Sequence, residues 1–505
     1  MRLNRPLALL LGLAVAVGAT TTGCAKKETS APAAATQETP AASPDAGKIP
    51  VTTASAEART EFLQGREKAE KLVITDSIEH FEKAVSHDPN FALAELNLAN
   101  TAPTGQGFFD HLNKAVSLAG KASDGERLLI LATEAGANAN AVKQKEHLDQ
   151  LVAAYPNDER AHFNLGGYYF GQQDFPKAIE HYRKATDLNA TYSPAYNIMG
   201  YAYRQNGDFA NAEKAFQKYI ELIPNDPNPY DSYAELLLKM GKFDDSIAQY
   251  RKALAIDPNF IASYLGIAAD QMYLGKPAEA AAELETITKR ARNDGERRTA
   301  LFGLTVLHVD GGKTARALQA VDQQYALGEK TQDVPAMAGD LQLKANIQLE
   351  AGKPGEAKGL FERSVKMIEG SNLSQEIKDN ARLFRHFNLA RVAVKANDLA
   401  TAKSEAEEFR KGAEASKNPA QVRQSHELAG MIALAEKQYD AALVELEQSN
   451  LQNPYNLYRQ CLAYQGKGDA TKAKEACGKA ADFNSLPFIN YAFIRTKAKV
   501  AAQKS

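Results

Sequence analysis

Between residues 125 and 294, apolar and small residues return at helical spacing, and the whole pattern returns every 34 positions. Within 159–192, Leu165, Gly166 and Tyr169 share one stripe, and Ala178, Tyr182 and Ala185 share a second. Intervals of three, four and seven place each set on one face of a helix, so this stretch predicts two amphipathic helices. The period then repeats the pair. Gly207, Gly241 and Gly275 lie 34 apart, as do Tyr182, Phe216 and Tyr250, and Pro224 and Pro258 follow Pro156 at 68 and 102. A fixed period of this length predicts stacked helical hairpins, each burying its apolar face against the next. Local signals agree: Ser123 and Glu126 form a capping box, Asn206-Gly207-Asp208 breaks a hairpin, and the prolines stop second helices.

The same offsets run on in weaker form. Gly65, Phe81, Ala84 and Pro89 start the array near Ala58, the unit at 92–124 carries a loop over Thr101–Gly107, and five further pairs follow residue 294. Gly166 and Ala178 are small because two antiparallel helices approach closely only where side chains are minimal; Tyr169 and Tyr182 fill the space beside that contact. This pattern resembles the tetratricopeptide repeat. The resemblance implies an all-α, right-handed superhelical solenoid of about twelve antiparallel helix pairs, its concave face lined by first helices. The charged stretch Arg290–Arg298 and the long loop Glu369–Asp379 are either insertions on a continuous solenoid or the joint between two subarrays. The chain therefore divides into 58–294, a more irregular 295–487, and 488–505, a capping helix with Phe488, Ile489, Ala492 and Phe493 on one stripe and a basic tail.

The first 57 residues follow other rules. Arg2 and Arg5 precede an apolar run, Leu7–Val17, too short to be an ordinary spanning helix, which is the form of an export leader. Thr20-Thr21-Thr22-Gly23-Cys24 resembles a bacterial lipobox, although Thr21 stands where an aliphatic residue is usual. The resemblance implies a leader over 1–23 and lipidation at Cys24. With Ala25 next, it also implies an anchor in the envelope, at the outer membrane facing the periplasm if the host has two membranes. Residues 24–57 are mostly Ala, Pro, Thr and Ser and read as a disordered tether, spanning roughly 30 Å root-mean-square.

Composition narrows the function. With 60 basic and 62 acidic residues the chain carries −2, and −4 without Arg2 and Arg5, so nothing favours a nucleic-acid partner. Gly311-Gly312-Lys313-Thr314 imitates a phosphate loop, but Leu307 stands where its first glycine belongs and Gly312 sits at an interhelix turn. Nine histidines form no zinc motif, and no catalytic residue, metal site or cofactor is expected. Cys461 and Cys477, at paired positions of one hairpin in an exported protein, either bridge or stay as two buried thiols. The concave register contains Phe163, Phe170, Asn197, Tyr201, Arg204, Asn228, Asp231, Glu235, Leu265 and Tyr273. Amides and charges beside aromatics suit an extended peptide. The expected role is a non-enzymatic, membrane-tethered scaffold for protein or peptide partners, its own oligomeric state open. The alternatives are a glycan-binding outer-membrane lipoprotein, which the absence of Trp disfavours, and a regulatory or sensor module.

Overall fold

The computed structural model describes residues 47–504, which form 25 α-helices and one short 3-10 turn, with no strand among the described residues. Units 1 to 4 are α1 (Ala56–Glu70) with α2 (Ile74–His87), α3 (Ala92–Thr101) with α4 (Gly105–Leu118), α5 (Asp124–Ala137) with α6 (Ala141–Ala154), and α7 (Glu159–Gly171) with α8 (Phe175–Leu188). Units 5 to 8 are α9 (Ser193–Gln205) with α10 (Phe209–Leu222), α11 (Pro227–Lys239) with α12 (Phe243–Ile256), α13 (Ile261–Tyr273) with α14 (Pro277–Arg290), and α15 (Asp294–Asp310) with α16 (Thr314–Thr331). Units 9 to 12 are α17 (Val334–Glu350) with α18 (Pro354–Glu369), α19 (Gln375–Lys395) with α20 (Leu399–Ser416), α21 (Pro419–Ala435) with α22 (Tyr439–Glu447), and α23 (Pro454–Lys467) with α24 (Ala470–Ala481). A last helix, α25 (Ile489–Lys504), stands alone. Each helix packs on its partner and on the next unit, without interruption across Arg290–Arg298 or Glu369–Asp379, giving an α-solenoid of twelve pairs.

Two glycine roles build the repeat. Gly207, Gly241, Gly275, Gly312 and Gly352 hold φ between +68° and +81° at the hairpin turns. Gly312 is thus a turn residue of unit 8. Within the hairpins, first helices carry glycine where a second-helix ring lies flat on the backbone: a Cβ at Gly166 would stand 2.7 Å from Tyr182, and one at Gly200 2.7 Å from Phe216. The rings Tyr182, Phe216 and Tyr250 are fully buried as a result.

The solenoid winds onto itself. Hairpin turns of the early units rest on the inter-unit loops of later ones. The backbone N–H groups of Gly105 and Gln106 donate to Asp333 at 2.9 and 3.1 Å. Ser374 donates to Asn138 at 2.8 Å, Asn418 to the Ala139 carbonyl at 2.8 Å, and Gln173 to Asn450 at 3.0 Å. The charged stretch after α14 joins in, since Arg292 pairs with Asp76 at 3.1 Å and Glu296 accepts from Thr75 at 3.2 Å. Asp333 also explains why α4 begins at Gly105 and not beyond the expected loop: with the Thr104 cap it satisfies the first amides of the helix.

Both chain ends depart from the sequence-based expectation. The leader, Cys24 and the tether as far as residue 46 lie outside the described residues. Residues 48–55, expected to be disordered tether, form an extended strap along three unit junctions. The amide of Ile49 donates to Asp158 at 2.7 Å, that of Thr52 to Glu126 at 2.8 Å, and the Thr53 hydroxyl to Asp88 at 2.6 Å. Three residues of extended chain cover about 10 Å, close to the spacing of packed helices, so successive strap amides meet successive acidic junctions. Ile49 and Val51 turn into the apolar clusters beneath. At the other end, α25 does cap α23 and α24, yet it also packs on α15 in the interior of the winding. Its Ile489, Tyr491, Phe493, Ile494 and Ala498 are buried, Arg495 forms a two-pronged pair with Asp310, and Lys497 pairs with Glu350 at 3.2 Å. The tail is a plug, and two of its basic residues, Arg495 and Lys497, pair with carboxylates of the array.

Candidate functional site

The ten concave-register positions separate into two groups. The first knits helices together. Phe163 packs on Tyr182 and Tyr192, with ring centroids 5.8 and 5.5 Å away, and Phe170 packs on Phe175 at 5.7 Å. Asn228 donates to the Tyr219 hydroxyl at 2.6 Å, and Asp231 accepts from Ser263 at 2.9 Å. Asn228, Asp231 and Leu265 are buried, and Leu265 packs against Gly303 of the next unit. Asn197 is buried as well, its carbonyl oxygen unpaired. Phe170 thus closes the hairpin of unit 4, while Phe163 through Tyr192, Asn228, Asp231 and Leu265 tie one unit to the next.

In the second group, Arg204, Glu235 and Tyr273 face the space that the C-terminal segment crosses, and Tyr201 lies beside Arg204. Tyr201 donates to Ser232 at 3.2 Å, and the Arg204 guanidinium lies over its ring at 4.7 Å. Arg204 reaches the Glu235 carboxylate and carbonyl at a long 3.4 Å each, leaving its Nε buried without a partner. Tyr273 donates to the carbonyl of Ser485 and meets the ring of Tyr491 at 5.7 Å. Lys239 donates to the carbonyl of Phe483 and sits over its ring. The groove at these units is therefore occupied by the chain's own connector, 482–488. Burial, and secondarily Arg204 nearby, pushes the Lys239 ammonium down to about 8.

Sequence reasoning missed Lys239, Arg298 and the connector, which together with Arg204 and Glu235 enclose a cleft of about 450 Å³. Lys239 is the last residue of α11, one turn beyond Glu235 on the same stripe and one period before Tyr273, but it reads as a helix end; nothing in the repeat period marks where a tail returns.

Cys461 and Cys477 are joined by a disulfide between α23 and α24, with Cα atoms 4.9 Å apart. Several histidines serve as helix-to-helix polar contacts: His80 bonds Glu61, His386 bonds Glu405 and His426 bonds Glu445, at 2.6 to 2.7 Å, and His162 stacks on His181. Among the described residues no group of three or more His, Cys, Asp or Glu is placed to hold a metal ion. No described helix is long and apolar enough to cross a membrane.

Comparison with known proteins agrees with the register. Residues 159–192, 193–226 and 237–301 each match the tetratricopeptide repeat family, the first two with the same unit boundaries that the 34-residue period sets. Cellulose synthase operon protein C of Xanthomonas axonopodis pv. citri (strain 306) is 27% identical over 241 residues, 45% of this chain and 15% of that protein. Hsp70-Hsp90 organizing protein 2 of Arabidopsis thaliana is 29% identical over 119 residues, 24% of this chain and 21% of that protein. The chain thus spans about a fifth or less of either relative. A tetratricopeptide repeat protein from Parabacteroides merdae, of known structure, is 18% identical, with a TM-score of 0.35 over 51% of this chain and 97% of that one.

Proposed function

We propose that this chain is a non-enzymatic scaffold of the bacterial cell envelope, lipid-anchored through Cys24, whose concave surface receives an extended segment of a protein partner. The observation that carries the reading is the connector itself. Residues 483–488 cross the groove as irregular chain, with carbonyls held by Lys239 and Tyr273, so these side chains serve a peptide backbone. That is the chemistry of peptide recognition: polar side chains take the backbone while apolar walls take side chains. The repeats matched at 159–226 and 237–301 support it. Units 4 to 6, where Phe170, Tyr201 and Arg204 are partly exposed, are the part of that surface left to a partner.

The test uses the full chain in its native envelope. A photocrosslinker at Gln205, beside the cleft, is expected to capture a discrete partner, whereas one at Val142, exposed on the second helix of unit 3, is not. Equal capture at both positions, or none at either, overturns the groove. Cys24→Ser is expected to abolish labelling by a fatty acid and to release the chain from the membrane fraction; a variant that stays in that fraction overturns the anchor.

A further inference from the structure

The cleft beside the connector has a composition at odds with the rest of the molecule. The chain as a whole is slightly acidic, yet Arg204, Lys239 and Arg298 converge here. Their carboxylate partners do not balance them. Arg298 is engaged by Asp340 at 2.8 Å, and Asp340 also accepts from Gln324. Glu235 answers Arg204 only at 3.4 Å. Lys239 forms no salt bridge among the described residues; its ammonium has a backbone carbonyl and an aromatic face. One positive charge is left over, in a partly enclosed space where water screens it poorly. Arg204 and Lys239 repel one another across that space, with the buried Nε of Arg204 still unpaired.

The remaining wall mixes polar residues, Gln205, Thr299, Gln324, Gln452, Asn484 and Ser485, with a larger apolar part. Phe302 comes from α15, and Phe483, Leu486, Pro487 and Phe488 come from the connector. At about 450 Å³ the cleft falls within the range of small-molecule sites, which combine apolar lining with a few convergent polar groups. We infer that this cleft is a binding site for a small amphipathic organic acid, its anionic group between Arg204 and Lys239 and its apolar body against Phe302 and Phe488. A phosphate or other compact polyanion fits less well, because a single charge is in excess and most of the lining is carbon. The cleft shares Arg204 and Gln205 of unit 5 with the proposed partner surface. The acid is read by titration of the isolated chain and the partner by crosslinking in the envelope, so the two readings fail separately.

The test is calorimetric titration of the full chain with 4-phenylbutanoate, using 4-phenylbutan-1-ol and 4-phenylbutylamine as probes of equal shape. The carboxylate is expected to bind one to one with a Kd on the order of 0.1 mM, and the alcohol and amine at least tenfold more weakly. Lys239→Gln is expected to weaken the carboxylate tenfold or more and leave the alcohol unchanged. Thr299→Phe, which narrows the cleft without touching a charge, is expected to weaken all three, and unchanged melting curves confirm that both variants fold. No binding, equal binding of the three probes, or an undiminished affinity in Lys239→Gln overturns the inference.

Discussion

At the scale of single residues, the sequence is most legible where a side chain is missing. Glycine at a hairpin turn and glycine under an aromatic ring are both set by local geometry, and both recur at the repeat period. A Cβ at Gly266 would stand 2.1 Å from Tyr250, which is why the period demands the pair. Polar residues are harder to place. Asn228 and Asp231 fit the groove stripe, but their hydrogen bonds run to neighbouring helices, and a helical period cannot distinguish groove from seam when the two are a fraction of a turn apart. Asp270 of α13 is the extreme case: fully buried, with neither carboxylate oxygen hydrogen-bonded, since the nearby Ser246 hydroxyl donates to the Ala234 carbonyl. Burial pushes its carboxyl up to about 8, with the Asp244 carboxylate adding and the Ser246 hydroxyl opposing. The folded state therefore holds a proton that the unfolded state releases near 3.8, so stability is full below that value and falls as pH rises towards 8. Asp270→Asn is expected to match the parent at pH 4 and exceed it at pH 8 by several kcal/mol, on the order of 1.4 kcal/mol for each unit by which folding raises the carboxyl. Urea midpoints at the two pH values check it, and an equal offset at both would mean that Asp270 does not titrate in this range.

At the scale of elements, helices inside the array follow from the period, while segments that belong to no repeat do not. The strap at 48–55 is legible in hindsight only through Ile49 and Val51, which alternate with more exposed neighbours as a half-buried strand would. Its amides are satisfied by Asp88, Glu126 and Asp158, residues 34 or more positions away whose proximity depends on the stack already being formed. The last hairpin is pinned differently. Ala473, Ala476 and Ala480 give α24 a small-residue face that buries little apolar area, and the bridge between Cys461 and Cys477 closes a loop with a separation of 16 residues. A loop of that size constrains the unfolded chain by about 3 kcal/mol. Reduction is therefore expected to loosen α23, α24 and α25 first, seen as faster amide exchange there than in α7 to α14. Cys461→Ala with Cys477→Ala should reproduce the effect without reductant. Uniform exchange in both samples would show that the bridge adds nothing to this hairpin.

At the scale of the whole molecule, the question is whether the C-terminal plug can leave. Twelve units wind far enough that hairpin turns near the start meet junctions near the end, and α25 fills the interior this creates. Ile489, Tyr491, Phe493 and Ile494 are buried there, each side chain contributing about 1.5–3 kcal/mol relative to exposure. Added to the Arg495–Asp310 pair and the carbonyl bonds to Lys239 and Tyr273, this burial matches or exceeds the roughly 8 kcal/mol that a micromolar peptide supplies. A partner of ordinary affinity therefore does not evict the tail, and the groove open to partners is what the tail leaves uncovered. Ending the chain after Ala481 is expected to expose Tyr273 and Ala480, lower the thermal midpoint by several degrees, and raise both dye binding to apolar surface and the radius of gyration in solution scattering. A truncated chain that keeps its midpoint and its compactness, and binds the crosslinked partner more tightly than the full chain, would instead make the tail a displaceable inhibitor of the groove. The two outcomes differ in stability, in compactness and in binding, so one truncated variant, measured for all three, decides between a structural plug and a gate.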